Sequence, residues 1–140
     1  MRLPPIMTAL VLLVTASSFA GGHRQLQSSL PDGTIYIYRV DTDSRDFWDP
    51  DIDENPPLSP RDAIAEARTH MERIPLPDYA DEWELTDITL EPVAGDENHW
   101  VYIVRFQGRP APGTMGSHPV LSWFAMLVRL DGTVPEPEVI

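Results

Sequence analysis

The run from Leu58 to Ile74, LSPRDAIAEARTHMERI, constrains the fold more than any other stretch, because its residues specify a helix and its two ends. Ser59 is an N-cap, Pro60 falls at the first helical position where a missing N–H costs nothing, and Asp62 follows the cap by three residues. That is a capping box with Asp in place of Glu or Gln. Ala63, Ile64, Ala67, Met71 and Ile74 then fall on one stripe of a 3.6-residue repeat. Pro75 and Pro77 end the helix. Arg61, Glu66, Arg68, Glu72 and Arg73 make the opposite face fit for water. So short a helix is marginal alone and needs a sheet to lie on. Its alanines allow a close approach, while Ile64, Met71 and Ile74 each contribute roughly 1.5 to 3 kcal/mol if fully covered.

Strands surround it. Thr34 to Val40, TIYIYRV, reads as a strand after the Pro31-Asp32-Gly33 turn, with Ile35 and Ile37 on one face and Tyr36 and Tyr38 on the other. The two tyrosines are either a binding surface or ordinary cover over a sheet. Trp83 to Val93 is a second strand, and its apolar parity switches between Leu85 and Ile88, so a bulge is expected near Thr86-Asp87. Ala94 to Asn98 forms a hairpin loop. His99 to Gln107 is the clearest central strand, apolar on both faces. Leu121 to Leu130 is the last strand, turned by Asp131-Gly132, and Pro135-Glu136-Pro137 is expected to end the fold. Gly108 to Pro119 holds three prolines and three glycines and is read as a long disordered loop. The predicted fold class is α+β, with one main helix packed on a curled antiparallel sheet of three to four strands.

The N-terminal residues read as a targeting segment. Arg2, the apolar run from Ile6 to Val14 and Ser18-Phe19-Ala20 have the order of a secretory signal peptide, too short to span a bilayer. Residues 1–20 are therefore expected to be removed, residues 21–57 to form an extension with one strand and an acidic linker, and residues 58–140 to form the α+β domain. Gly21 to Ser29 is polar and expected to be mobile. Loss of Arg2 leaves 9 basic residues against 22 acidic ones, a net charge of −13. Such a polyanion is repelled by nucleic acid and by anionic lipid, so neither is an expected partner. With no cysteine, disulfides and lipidation at a processed cysteine are excluded.

Motifs for chemistry are sparse. Asp41 to Pro57 is an acidic linker in which Asp49, Asp51 and Asp53 imitate the first half of a calcium loop. Glu54 stands where the sharp turn needs glycine, and Pro60 where the bidentate glutamate belongs. The segment thus reads as a solvated linker, with these three aspartates as its candidate cation ligands. Phe47 and Trp48 are expected to pin it to the domain surface, and Trp48 joins Tyr36 and Tyr38 as candidate partner-binding residues. The four histidines, His23, His70, His99 and His118, show no HExxH-type spacing, and His70 follows Glu66 as an ordinary helix surface pair. There is no GxSxG and no phosphate-cradling glycine loop, so neither catalysis nor a cofactor is expected.

Ser59-Pro60-Arg61-Asp62-Ala63-Ile64, Trp100-Val101-Tyr102-Ile103-Val104 and Val128-Arg129-Leu130-Asp131-Gly132-Thr133-Val134 follow one another in the order helix, strand, strand. This pattern resembles the PepSY module over roughly residues 58–134. The resemblance implies an exported domain whose antiparallel sheet curls over one helix, with a role in binding or restraining peptidases or another extracytoplasmic protein or peptide. Two alternatives from other classes stay open. One is a small-ligand carrier or enzyme of cystatin-like architecture, with a cavity lined by Trp100, Tyr102 or Trp123. The other is a structural cell-envelope protein kept soluble by its acidity. Intact-mass measurement of the exported protein is expected to show cleavage after Ala20; a species retaining residues 1–20 overturns that reading.

Overall fold

The computed structural model describes residues 23–95, 97–113 and 121–140. The expected signal segment and residues 114–120 of the long loop lie outside the described residues. The elements in order are β1 (His23–Ser29), β2 (Ile35–Asp41), a 3-10 turn (Ser44–Asp46), α1 (Pro60–Met71), β3 (Ala80–Pro92), β4 (Trp100–Pro110), β5 (Trp123–Arg129) and β6 (Glu138–Val139). One helix thus accompanies two three-stranded antiparallel sheets, ordered β1-β2-β6 and β3-β4-β5. The α+β class is as expected, but the strands are more numerous and divide between two sheets.

The N-cap and the proline at the first position of α1 act as the sequence predicts, whereas of the expected capping box only the Ser59 half is present. Ser59 Oγ accepts a hydrogen bond from the Asp62 N–H at 3.1 Å, and Pro60 opens the helix. Ala63, Ala67, Met71 and Ile74 are buried, whereas Ile64 is only half-buried. The helix packs on β3, β4 and β5. Residues after Met71 leave the helix as a turn, with the Ile74 N–H donating to the Met71 carbonyl.

Pairing along β4 explains why both of its faces are apolar. Leu90, Tyr102 and Val128 are register partners, as are Ile88, Val104 and Met126, and Leu85, Phe106 and Phe124. Cross-strand partners share a face, and this face meets the helix segment, where Tyr102 Oη donates to the Leu58 carbonyl at 2.6 Å. The predicted bulge is present as a register shift between Leu85 and Asp87, which returns both Leu85 and Ile88 to the helix side. The second face carries Val101, Ile103 and Leu127, all within 1% of complete burial, and Arg129.

Covering that second face falls to the N-terminal segment. Residues 23–29, expected to be mobile, instead pair with β2 along their whole length, from His23 opposite Asp41 to Ser29 opposite Ile35. Polar strand residues suffice here because main-chain bonds do not depend on side-chain hydropathy. β1 also runs beside β5, where the Ser28 hydroxyl donates to the Ala125 carbonyl at 2.7 Å and accepts from the Ala125 N–H at 2.9 Å. Arg24 reaches Glu91 on β3 at 3.1 Å. The acidic linker closes the end: Phe47 bridges His99, and Asp46, with no exposed surface, holds the Arg129 guanidinium in a two-point pair. Arg129 also donates to the Asp41 carbonyl at 3.1 Å.

The chain does not end at Pro137 either. β6 pairs with β2, and Ile35 and Ile140 exchange both main-chain hydrogen bonds. Leu30, Tyr36, Tyr38 and Val40 share one continuous core with α1, β4 and β5.

A buried ion pair is costly to break one side at a time when the survivor is left charged and unpaired. Arg129→Met, which strands the fully buried Asp46, is expected to lose about 3 to 5 kcal/mol of stability in urea denaturation. Asp46→Ala is expected to lose less, because Asp43 still pairs with Arg129 at 3.3 Å. Asp46→Leu combined with Arg129→Met is expected to recover most of that loss. Simple addition of the two single losses would show that the charges act independently.

Candidate functional site

None of the three aromatic candidates forms a free surface. Tyr38 is fully buried, edge-on to Phe124 at 6.2 Å and to His70 at 5.9 Å. Tyr36 is nearly buried and meets Phe124 edge-on at 5.2 Å. Of the two readings of this pair, the structure corrects the binding surface to core: β2 is the middle strand of its sheet, and its tyrosine face lies against β5. Trp48 is tied at three points. Its indole donates to the Asp53 carbonyl, its N–H to the Asn98 carbonyl, and its own carbonyl accepts from the Trp100 indole. Its ring rests on Trp100, so it pins the linker to the β3–β4 hairpin as expected.

The aspartate triplet is likewise engaged in its own turn. Asp49 Oδ1 accepts from the Asp51 N–H at 2.9 Å, and its carbonyl accepts from Ile52 and Asp53. An Asx turn of this kind spends the carboxylate on the backbone. Among the described residues no group of three His, Cys, Asp or Glu side chains gathers as a metal site, so Asp49, Asp51 and Asp53 do not assemble into one. Trp100 and Tyr102, proposed as cavity walls, are also occupied, Trp100 donating to the Trp48 carbonyl of the linker and Tyr102 to the Leu58 carbonyl at the start of the helix segment.

Open features remain, one of them a pocket of about 200 Å³ between the turn at residues 30–32 and residues 75–78. On the second sheet face, a groove of about 320 Å³ runs past Gln27, Arg105, Trp123 and Ala125, and Trp123 is 52% exposed. Where the helix meets β3, a larger cleft of about 440 Å³ has Met71, Ile74, Trp83 and Phe106 as its apolar lining and Arg68, Glu72, Asp81 and Glu82 among its polar residues. Trp83 is fixed there because its indole donates to the Ile74 carbonyl at 3.3 Å while its ring tilts against Phe124. The start of β3 is held in turn by Tyr79. Its hydroxyl passes so close to Gly108 that a Cβ there would sit 2.8 Å away, and it accepts the Ser122 N–H.

Beside the cleft runs the outer edge of β3. This strand is 13 residues long, pairs only with β4, and has no fully buried residue. The signal for it was present in the sequence: acidic residues recur through an otherwise strand-forming run, as they do along exposed edges. The cleft could not be read the same way, since it needs the helix end and β3 to be neighbours in space.

Among titratable groups, burial lowers the His70 pKa, with the Arg73 charge adding to the effect and Glu136 opposing it. Burial raises the Tyr38 phenol far above its ordinary value, with Tyr36 and Glu136 contributing. Hydrogen bonds from Arg45 hold the Asp43 carboxyl well below the usual range. No nucleophile is paired with a base in these surroundings among the described residues. Comparison of the chain with family models, with curated proteins and with solved structures finds no match.

The Tyr38 hydroxyl has no hydrogen-bond partner among the described residues although it is buried. An unmade bond of this kind costs about 1 to 3 kcal/mol. Tyr38→Phe is therefore expected to leave thermal stability unchanged or to raise it. A loss of more than about 1 kcal/mol, read by denaturation, would show that the hydroxyl has a stabilising partner.

Proposed function

We propose that the protein is an exported, non-catalytic module of PepSY-like type that binds another protein or a peptide, with α1 lying across a curled sheet. The observation that carries this reading is the long outer edge of β3, where only the first N–H, that of Ala80, is taken, by the Pro77 carbonyl, and the main-chain groups beyond it on that side have no main-chain partner among the described residues. An open edge offers a row of donors and acceptors that an extended segment satisfies by adding a strand. The remaining candidate residues support the same choice by elimination. Tyr36, Tyr38, Trp48, Trp100 and Tyr102 are committed to holding the fold together, which leaves the edge with its adjoining cleft, and the groove at Trp123, as accessible surfaces; of these only the edge also offers open main-chain groups. By resemblance, an exported peptidase is the partner class to examine first.

The chain lacking residues 1–20, immobilised and exposed to an exported protein fraction, is expected to retain a specific protein or peptide that soluble copies of the chain displace. A chain that stays monomeric and retains nothing specific overturns the reading.

A further inference from the structure

We propose that the part of the β3 edge beside the cleft accepts an extended basic segment as an added strand, and that apolar side chains of that segment enter the Met71–Trp83–Phe106 cleft. This rests on the binding-module reading and goes beyond it by naming the place and the chemistry of the occupant.

The argument begins with period two. Along an added strand, alternate side chains point to opposite faces of the sheet. Opposite Asp81 to Leu85, one set falls on the Trp83 side, where Met71, Ile74 and Phe106 form an apolar wall beside it. The other set falls on the side of Glu84, whose register partners are Gln107 on β4 and, beyond it, Trp123 on β5. Breaks in register between Ala80 and Glu82 and between Leu85 and Asp87 limit the flat run to residues 82–85.

Charge decides what the second set is. β3 carries Asp81, Glu82, Glu84, Asp87 and Glu91 and no basic residue. Arg105 pairs with Asp87 and Arg24 with Glu91, one arginine to one acid. Beside the cleft the ratio differs: Arg109 alone pairs with Asp81 and Glu82 and also feels the Glu84 charge, and Arg68 shares the cleft with Glu72. Four acids there meet two arginines, so net negative charge lies at the portion of edge that adjoins the apolar wall. A second copy of this chain, with a net charge of −12, presents the same acids and is repelled. A segment in which apolar residues alternate with Arg or Lys satisfies the main chain, the wall and the carboxylates together.

The test is calorimetric titration of the full chain lacking residues 1–20 with a synthetic peptide of about nine residues, alternating Val and Arg. Two control peptides accompany it: one N-methylated at alternate residues, which keeps the side chains but removes main-chain donors, and one with Glu in place of Arg. The Val/Arg peptide is expected to bind with micromolar affinity that weakens with salt, and both controls are expected to bind at least about tenfold more weakly. Glu72→Arg combined with Glu84→Arg, both at exposed positions, is expected to weaken the peptide by about tenfold while the thermal melt stays unchanged. No binding of the Val/Arg peptide, equal binding of either control, or unchanged binding by the folded double variant overturns the proposal. The two readings fail separately. If wild type and double variant retain the same exported partner equally well, the partner docks elsewhere and only this proposal falls; if neither retains any partner, the binding-module reading itself falls.

Discussion

A strand that is apolar on both faces cannot leave either one in water, and β4 imposes that constraint on the whole chain. Val101, Tyr102, Ile103, Val104 and Phe106 are all essentially buried. At roughly 25 cal/mol per Å² of apolar surface, exposing either side would forfeit a large share of a small domain's stability. The helix segment shields the face of Tyr102, Val104 and Phe106. The opposite face, with Val101 and Ile103, needed a second cover, and the chain supplies it from its N-terminal part. The contacts that hold that part down are long-range, some polar, Arg24 with Glu91, the Ser28 hydroxyl with Ala125 and Asp46 with Arg129, and some apolar, the Tyr36 and Tyr38 rings on Phe124.

This division also accounts for what could be read beforehand. The cap at Ser59, the buried stripe of α1, the break near Thr86 and the two-sided apolarity of β4 are local patterns, each decided within a few residues, and they stand in the fold as read. β1 was missed because HRQLQSS carries almost no apolar signal, and β6 because it is only two residues long and follows Pro135-Glu136-Pro137, a strand-breaking run. Their strands exist because β2 offers an edge on either side. Tyr36 and Tyr38 were placed on a face correctly, but no local pattern says whether a second layer lies on that face. The partnership of Asp46 with Arg129 joins residues 83 positions apart and is invisible to any local window. The same holds for the candidate site: the acids of β3 were in plain view, whereas the cleft beside them depends on where the turn after α1 delivers Ile74 and Trp83.

The acidity of the chain takes on a more specific meaning in this setting. All of its basic residues are arginines, and several straddle neighbouring strands to neutralise acids of β3. Such exposed pairs add little stability individually. Their larger effect is on where charge remains, since they silence most of the edge and leave the part next to the apolar wall negative. An edge of this kind resists its own copies while staying receptive to an opposite charge.

Where β1 meets β5, one serine hydroxyl contacts a single residue's amide and carbonyl in place of the several rungs of a regular ladder. The two sheets are joined across that line by side chains instead: Arg24 on Glu91, Asp46 on Arg129, and the Tyr36 and Tyr38 rings on Phe124, within one continuous core. Cohesion between the layers is thus a matter of interlocking shapes, and trimming Phe124 would loosen both sheets at once.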